Sequence, residues 1–368
     1  MELKFLSPSF ITFFVQGSTT MQSDHAFTTI SPSPRSFSKL VINVPAGYFG
    51  IILGLAGLAN AWRAAAQAWQ LPSGIAELIY LIAGIVWLAL TALYISKAMH
   101  APEQLAAEAA HPILCCFIGL AGVSTMLIAG GLLPHWQTGA HILFVAGFLF
   151  TLGFGVWRTG QLWHGERESG TTTAVLYLPT VAGSFITATV VTSLGHADWG
   201  QLSFGAGIFS WLAMESVLLN RLLTGPTTPA ELRTTLGIQL APAPVGALAY
   251  IAVSGGTPDI FAHALIGYGL LQLLILARLS PWIAEAGAVP GLWAFSFGVT
   301  AIAAAPLRLV GNGDSGAISI LAPILFIFAN VFIASLFLMT LMLLTSGKLF
   351  SAPTPPPPKQ ASAPPELE

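Results

Sequence analysis

Charge is the scarcest ingredient of this chain. Asp, Glu, Lys and Arg make up 8% of its 368 residues, where a soluble domain carries about a quarter, and a water-soluble fold is thereby excluded. The net charge of −2 and the lack of any basic cluster interleaved with aromatics leave no basis for a nucleic-acid partner. Cysteine is almost missing. Cys115 and Cys116 are adjacent in an apolar run, so a bridge between them would be strained and neither C-x-x-C nor zinc spacing is present; they read as small packing residues. The eight histidines are dispersed, with no pair four residues apart at depth to ligate haem or metal. They read as hydrogen-bonding groups at span ends. Nor is there a Ser-His-Asp order, a metal motif or a glycine-rich phosphate loop in a credible setting. No cofactor, no metal and no enzymatic activity are therefore expected.

What the chain does have is apolar length. Hydrophobic residues make up 55% of it, and ten runs are long enough to cross a bilayer: 46–66, 74–98, 111–133, 139–163, 177–195, 199–222, 235–254, 259–280, 288–309 and 316–346. With no water at depth the backbone must satisfy itself. Runs this continuous mean helices, because barrel strands would be about ten residues of alternating pattern. The expected fold is an all-α polytopic membrane protein, with residues 41–348 as its one folded domain. Residues 1–40 read as an unstructured extension, or as the result of a start placed too early with Met21 the alternative, and only weakly as a signal peptide. Residues 349–368, which contain SAPTPPPPKQ, read as a Pro-rich disordered tail. Eleven of the thirteen Lys and Arg, from Lys4 and Arg35 through Arg278 to Lys348 and Lys359, fall on the side of the two termini; only Arg63 and Arg308 fall on the other. The positive-inside rule then makes both termini cytoplasmic.

A repeat is visible in the prolines. Pro45, Pro112, Pro179, Pro242 and Pro290 open spans one, three, five, seven and nine, at steps of 67, 67, 63 and 48 residues. A period of two spans means five helical hairpins of common build, and tandem repeats of equal orientation tend to be set around an axis. Charge divides the hairpins in the same way. Most of the length of each odd span is free of Asp, Glu, Lys and Arg, whereas the even spans other than the tenth carry Glu77, Lys97, Arg158, Glu215 and Arg278. Five inner and five outer helices are expected. A helix that is apolar all round can still line a path where Gly, Ser and Thr expose backbone and hydroxyls and a proline frees a partner, although prolines and small residues also serve helix packing in membranes.

Several motifs add a family resemblance. NVPAGYFGIILGLAGLANAWR, LYLPTVAGSFITA, FSWLAMESVLLNRL, LRTTLGIQLAP, IGYGLLQLLILARLSPW and GLWAFSFG together resemble the tellurite-resistance/dicarboxylate transporter family, to which bacterial tellurite-resistance proteins, yeast malate permease and plant guard-cell slow anion channels belong. The likeness runs from about Pro45 to Phe350 and is strongest to the bacterial members. It implies a homotrimer in the bacterial inner membrane, each subunit holding ten helices as five hairpins around its own central pore and passing small inorganic anions or dicarboxylates. It further implies a pore lined by the odd helices and plugged midway by the phenylalanine of AFSFG, here Phe297 between Ser296 and Gly298, with Phe49 of GYFG adding a second aromatic. Pro45, Pro112, Pro179, Pro242, Ser296 and Gly298 are the further residues expected to line it. The chain departs from its relatives at Glu215-Ser216, where they read Glu-Pro, and in its longer N-terminal extension.

A pore of uncharged helices has no ring of cations to offset the desolvation of an anion. Backbone amides, hydroxyls and ring edges must supply the potential, which implies weak binding and a selectivity that follows hydration energy. Trp293, one turn before that phenylalanine, and Phe295, two residues before it and toward the opposite side of the helix, read as packing. Glu215 is the rival signal, since an ionisable group inside a span often marks a proton or substrate site. Two readings stay open for it: an ion pair with Arg221 or Arg278, or the proton site of a coupled transporter of dicarboxylates or toxic oxyanions.

Overall fold

The computed structural model describes residues 44–165, 167–285 and 287–350; the expected extension at 1–40 and residues 351–368 of the expected tail lie outside them. Ten helices long and apolar enough to cross a membrane are present: Ala46–Trp69, Ser73–His100, Leu114–Leu132, Gln137–Leu162, Ala174–Ser193, Ala197–Thr224, Ala230–Val253, Ile260–Ala284, Pro290–Gly311 and Ala317–Thr345. No strand occurs among the described residues. The expected spans are all recovered, with ends displaced by a few residues. The largest displacements have local causes: the seventh span begins early in a polar, tightly wound stretch, and the eighth runs on through Pro281. Residues 349 and 350, expected in the tail, are packed instead. The Leu349 carbonyl accepts a hydrogen bond from the Tyr48 hydroxyl, and the Phe350 ring lies 6.0 Å from that of Tyr48.

Odd and even spans separate by environment. In each odd span 72–78% of the most apolar stretch is buried, against 17–39% in each even one. The odd spans close a ring: the first packs on the third, the third on the fifth, the fifth on the seventh, the seventh on the ninth, and the ninth returns to the first. Each even span packs outside, against its own hairpin partner and against the next odd span, the tenth meeting the first. Side chains such as Leu81, Leu88, Leu149, Phe209 and Leu274 turn outward from the even spans, where acyl chains solvate them as well as protein would.

The inner spans are also wound differently. Each opens on 3₁₀ turns (Ala46–Tyr48, Leu114–Gly119, Ala174–Leu176, Ala230–Leu240, Pro290–Phe295), with a π turn at Leu178–Ala182 in the fifth, before settling into α-helix. Proline supplies no N–H and its ring crowds the preceding turn; backbone freed in this way survives at membrane depth only inside protein or beside a cavity. The prolines do not share one register, however. Pro45, Pro112 and Pro290 sit at or just before the first turn, whereas Pro179 lies in the π turn and Pro242 begins the α-helical part of the seventh span, which Pro229 caps.

Small residues set the closest approaches. A Cβ on Gly54 would stand 2.5 Å from Ser296 Oγ, and one on Gly57 would stand 2.1 Å from Thr300 Oγ1. The tract of Ser, Gly, Thr and Ala after Phe295 is thus the face by which the ninth span beds into the first.

Candidate functional site

Two cavities lie within the inner ring, one toward each end. The cavity at the opening ends of the odd spans, here called proximal, has a volume of about 240 Å³ and takes lining residues from all five: Pro45, Phe117, Tyr177, Thr234 and Trp293 are among them. The distal cavity, of about 440 Å³, is lined at the closing ends by residues that include Asn60, Arg63, Gln67, Thr192, Arg308 and Asn312. Two residues line both, Phe297 and Val245.

Local packing explains why Phe297 points inward. Ser296, fully buried, donates to the Trp293 carbonyl at 2.7 Å and to that of Gly50 in the first span at 3.4 Å. On the other side, a Cβ on Gly298 would stand 2.7 Å from Leu240 Cγ of the seventh span. One neighbour of Phe297 is therefore committed to the first span and the other to the seventh. The ring between them is left over the central space, only partly buried. Ser296 and Gly298 themselves line neither cavity, which corrects the expectation that they form its wall; they set the seating of the ninth span.

Other lining expectations change in the same way. Pro45 and Pro242 line the proximal cavity, as does Pro290. Pro112 and Pro179 do not: the Pro112 carbonyl accepts from Arg158 and Arg167 at 3.3 and 3.1 Å, and the Pro179 carbonyl would be 2.6 Å from a Cβ on Gly155 of the fourth span. Phe49 is 2% exposed and turned outward, its ring edge-on to Tyr94 of the second span at 5.7 Å. Its chain neighbours Tyr48 and Gly50 line the cavity instead. Trp293 lines the cavity while its indole N–H donates to Thr340 of the tenth span at 2.8 Å, and Phe295 packs against Phe332 with ring centroids 6.3 Å apart.

Sequence reasoning missed Glu108. It lies on a short helix, Pro102–Ala110, between the second and third spans, where its Oε1 accepts from the Ala46 N–H at 2.8 Å and its Oε2 from Lys97 Nζ at 2.7 Å and Tyr94 at 3.2 Å. Lys97 also donates to the Val44 carbonyl at 3.1 Å. The pair is buried, and both charges are hydrogen-bonded to several partners, the condition under which buried ion pairs persist. The residues lining the proximal cavity include Glu108 and exposed Glu231 but no Lys or Arg. At the same end, partial burial holds the His111 imidazole below its ordinary pKa, and its Nδ1 accepts from the Ile113 and Leu114 N–H groups at 3.1 Å each.

Among the described residues Glu215 has no ion-pair partner. Its carboxylate accepts from five neutral donors on four spans: Tyr177 at 2.5 Å, Trp211 Nε1 at 2.8 Å, Gln239 Nε2 at 2.9 Å, Tyr268 at 2.5 Å and Gln272 Nε2 at 3.4 Å. Neither Arg221, which is buried, nor Arg278, which is exposed, comes within ion-pair distance of it. The physical reasons are plain. Six residues turn a helix through about 240°, which puts Arg221 on another face, and neutral hydroxyl and amide donors fill the carboxylate's lone-pair sites without burying a second charge. Glu215 lines neither cavity, although its partner Tyr177 lines the proximal one.

Ten spans in two shells, with a divided cavity inside the inner shell, define a multi-pass helical membrane protein built around its own axis. The comparisons narrow that class. Residues 43–341 match the SLAC1 family, described as voltage-dependent anion channels. The chain is 38% identical over 309 residues to the tellurite resistance protein TehA homolog of Haemophilus influenzae, covering 83% of this chain and 93% of that one. It is 22% identical over 335 residues to the S-type anion channel SLAH3 and 21% identical over 282 residues to the guard cell S-type anion channel SLAC1, both of Arabidopsis thaliana, covering 85% and 73% of this chain. It spans half the length of each of these plant channels. The chain belongs to the SLAC1 family of anion channels, which includes the bacterial tellurite-resistance relatives, a family of channels and transporters and not of enzymes.

Proposed function

We propose that the chain is a gated anion channel of the bacterial inner membrane, trimeric, with both termini on the cytoplasmic side. The five odd spans line the conduction path, and Phe297 occludes it. The observation that carries this reading is the position of Phe297, which with Val245 lines both cavities. A ring held over a narrow apolar point blocks ions by excluding their water, the hydrophobic mode of gating. No protein group replaces the hydration shell there, so an anion faces its full desolvation cost. With the ring withdrawn, the path is walled mainly by apolar groups, hydroxyls and backbone. Large, weakly hydrated anions such as nitrate or iodide then pass at least as well as chloride.

The trimer and the tellurite-related name are supported by likeness to relatives, and the orientation by the excess of Lys and Arg on the proximal side. A proton-coupled dicarboxylate transporter built on Glu215 has weaker support, because that carboxylate lines neither cavity and is ringed by neutral donors.

Anion current in a reconstituted bilayer or an oocyte membrane tests the reading, comparing the native chain with Phe297→Ala while chloride is replaced by nitrate and by gluconate. The expected result is a near-silent native protein and a large, voltage-insensitive, nitrate-permeable current in the variant. Silence from both, with pH-dependent malate uptake retained, would return Phe297 to packing and transfer the function to the transporter reading.

A further inference from the structure

The two cavities differ in sign. Among the described residues only Arg63 and Arg308 bring a guanidinium to either lining, and both line the distal cavity. They are not equivalent. Arg63 is paired: Nε and Nη2 bind the two Glu77 oxygens at 2.9 Å each, and Nη1 and Nη2 also reach the Gly130 and Gly131 carbonyls at 3.3 and 2.8 Å. Glu77 is shared with His135 at 2.7 Å, and the Arg63 guanidinium also covers the Tyr80 ring at 4.3 Å. Arg308 is different. Among the described residues its guanidinium has no hydrogen-bond partner, and no carboxylate lies within ion-pair distance of it. Its nitrogens are not sealed in the packing either, unlike Nε of Arg158, Arg167 and Arg221.

Arg308 stands on the ninth span about 16 Å beyond Phe297, three turns further along the same helix. On the same lining, the Asn60 carbonyl oxygen is taken by the Tyr80 hydroxyl at 2.7 Å, leaving the amide N–H₂ as a donor. Arg63 and Glu77 cancel, so the cavity carries a surplus of one positive charge. A guanidinium set in the inner ring of a membrane protein without a counter-charge is unfavourable unless it has one part of the time. From these contacts we propose that Arg308, with the Asn60 amide, binds a small monovalent inorganic anion such as chloride, bromide or nitrate in the distal cavity, and so sets the charge class that the path accepts. One charge is neutralised by one monovalent ion. A dianion would leave an excess negative charge between apolar walls, so dicarboxylates and tellurite-like dianions bind less well. The proposal names the substrate class within the channel reading and rests on that reading for its role in flux.

Binding can be measured without flux. Thermal unfolding of the full chain in detergent is followed as sodium gluconate is exchanged for sodium bromide at constant ionic strength, for the native protein, Arg308→Gln and Arg308→Lys. The native protein should show a saturable rise in midpoint with bromide, as for any ligand that binds only the folded state. Arg308→Gln should weaken the apparent affinity about tenfold or more, the loss expected for a charge-assisted contact. Arg308→Lys should keep part of it, and equimolar malate should give no saturable rise that Arg308→Gln abolishes. An equal bromide response in Arg308→Gln would overturn the site. Should Arg308→Gln fail to fold, crystals of the native protein grown in bromide decide: an anomalous peak within about 4 Å of the guanidinium supports the site, and none there removes it. The two readings fail separately. Saturable bromide binding with no current through Phe297→Ala would keep the site and remove the channel, whereas current without an Arg308-dependent bromide effect would do the reverse.

Discussion

The five inner spans and the five outer spans are all apolar enough to cross a bilayer, yet the residues along them answer to different solvents. On the outer spans a leucine such as Leu81 or Leu274 faces outward with more than half its surface uncovered, and the bilayer asks little of it beyond being apolar. On the inner spans every neighbour is another helix. There the selection is for size and shape: glycine opposite serine, glycine opposite threonine, and one phenylalanine, Phe297, set between the two cavities. The difference teaches that hydropathy identifies a span but not its role, and that close helix contacts identify the ring. Substitutions of equal chemical size should therefore separate sharply according to which shell they enter.

The largest effect is expected where the two most closely packed helices meet. Gly54 has no room for a methyl group, with Ser296 Cβ 2.6 Å and Trp293 Cζ3 2.8 Å from where a Cβ would sit. Gly54→Val should cost about 3 kcal/mol or more by overpacking and leave little monodisperse protein on size exclusion. The milder Gly54→Ala should recover part of its lost melting temperature when combined with Ser296→Gly. A Gly54→Val protein that melts like the native one would mean that the first and ninth spans do not meet as described, and the ring would be open.

Next comes the polar knot that ties the shells together. Glu215 of the outer sixth span accepts from donors on the fifth, seventh and eighth as well as its own, so Glu215→Gln places an amide N–H₂ against groups that now donate and removes the charge they donate to. The Trp211 indole cannot reverse its role, whereas the tyrosine hydroxyls can turn to accept and the glutamine amides can do so only by flipping, which gives up their present contacts. A loss of about 2–3 kcal/mol is expected, the worth of a hydrogen bond to a charged acceptor, while the anion current of the Phe297→Ala background persists. If the variant instead kept its melting temperature and lost a pH-dependent uptake of malate, Glu215 would be a proton carrier and not a structural acceptor.

How far these features were legible in the sequence depends on how many residues each one involves. The ten spans were, because twenty-odd apolar residues almost without charge leave one solution at membrane depth, even where proline interrupts the run, as Pro306 and Pro323 do. The alternation of shells was readable too, through the scarcity of charge in the odd spans and the recurring proline, although Pro179 and Pro242 proved to lie deeper than span openings. Phe297 stood out by its motif. What could not be read was direction around a helix that is apolar on every side. Phe49 and Tyr48 are adjacent aromatics, and only the packing of Phe49 on Tyr94 decides which one faces the cavity. Glu215 with Arg221 looked like a pair because both are ionisable and near in number. The true partners, two tyrosines, a tryptophan and two glutamines, are neutral and mostly distant. Arg63 and Arg308 were marked as the two cations of the far side, but that they share one cavity, one paired and one free, depends on the first and ninth spans lying together.

The smallest effect is the most direct comparison of the shells. Ile302 is fully buried on the ninth span, with its Cδ1 2.8 Å from where a Cβ on Gly269 of the eighth would sit, whereas Leu81 on the second span is 61% exposed. Both substitutions to alanine remove branched aliphatic carbon. In a bilayer neither loses much transfer energy, since lipid tails are as apolar as the protein interior, so only the void left behind separates them. Ile302→Ala leaves roughly 70 Å³, which at ~24 cal/mol per Å³ comes to about 1.7 kcal/mol. Leu81→Ala leaves none, because lipid closes over it, and should fall within about 0.5 kcal/mol of the native protein. Melting temperatures in lipid nanodiscs resolve the pair. Equal losses for both would show that the second span is covered by something other than lipid, and the outer face around Leu81 would then be an interface between subunits.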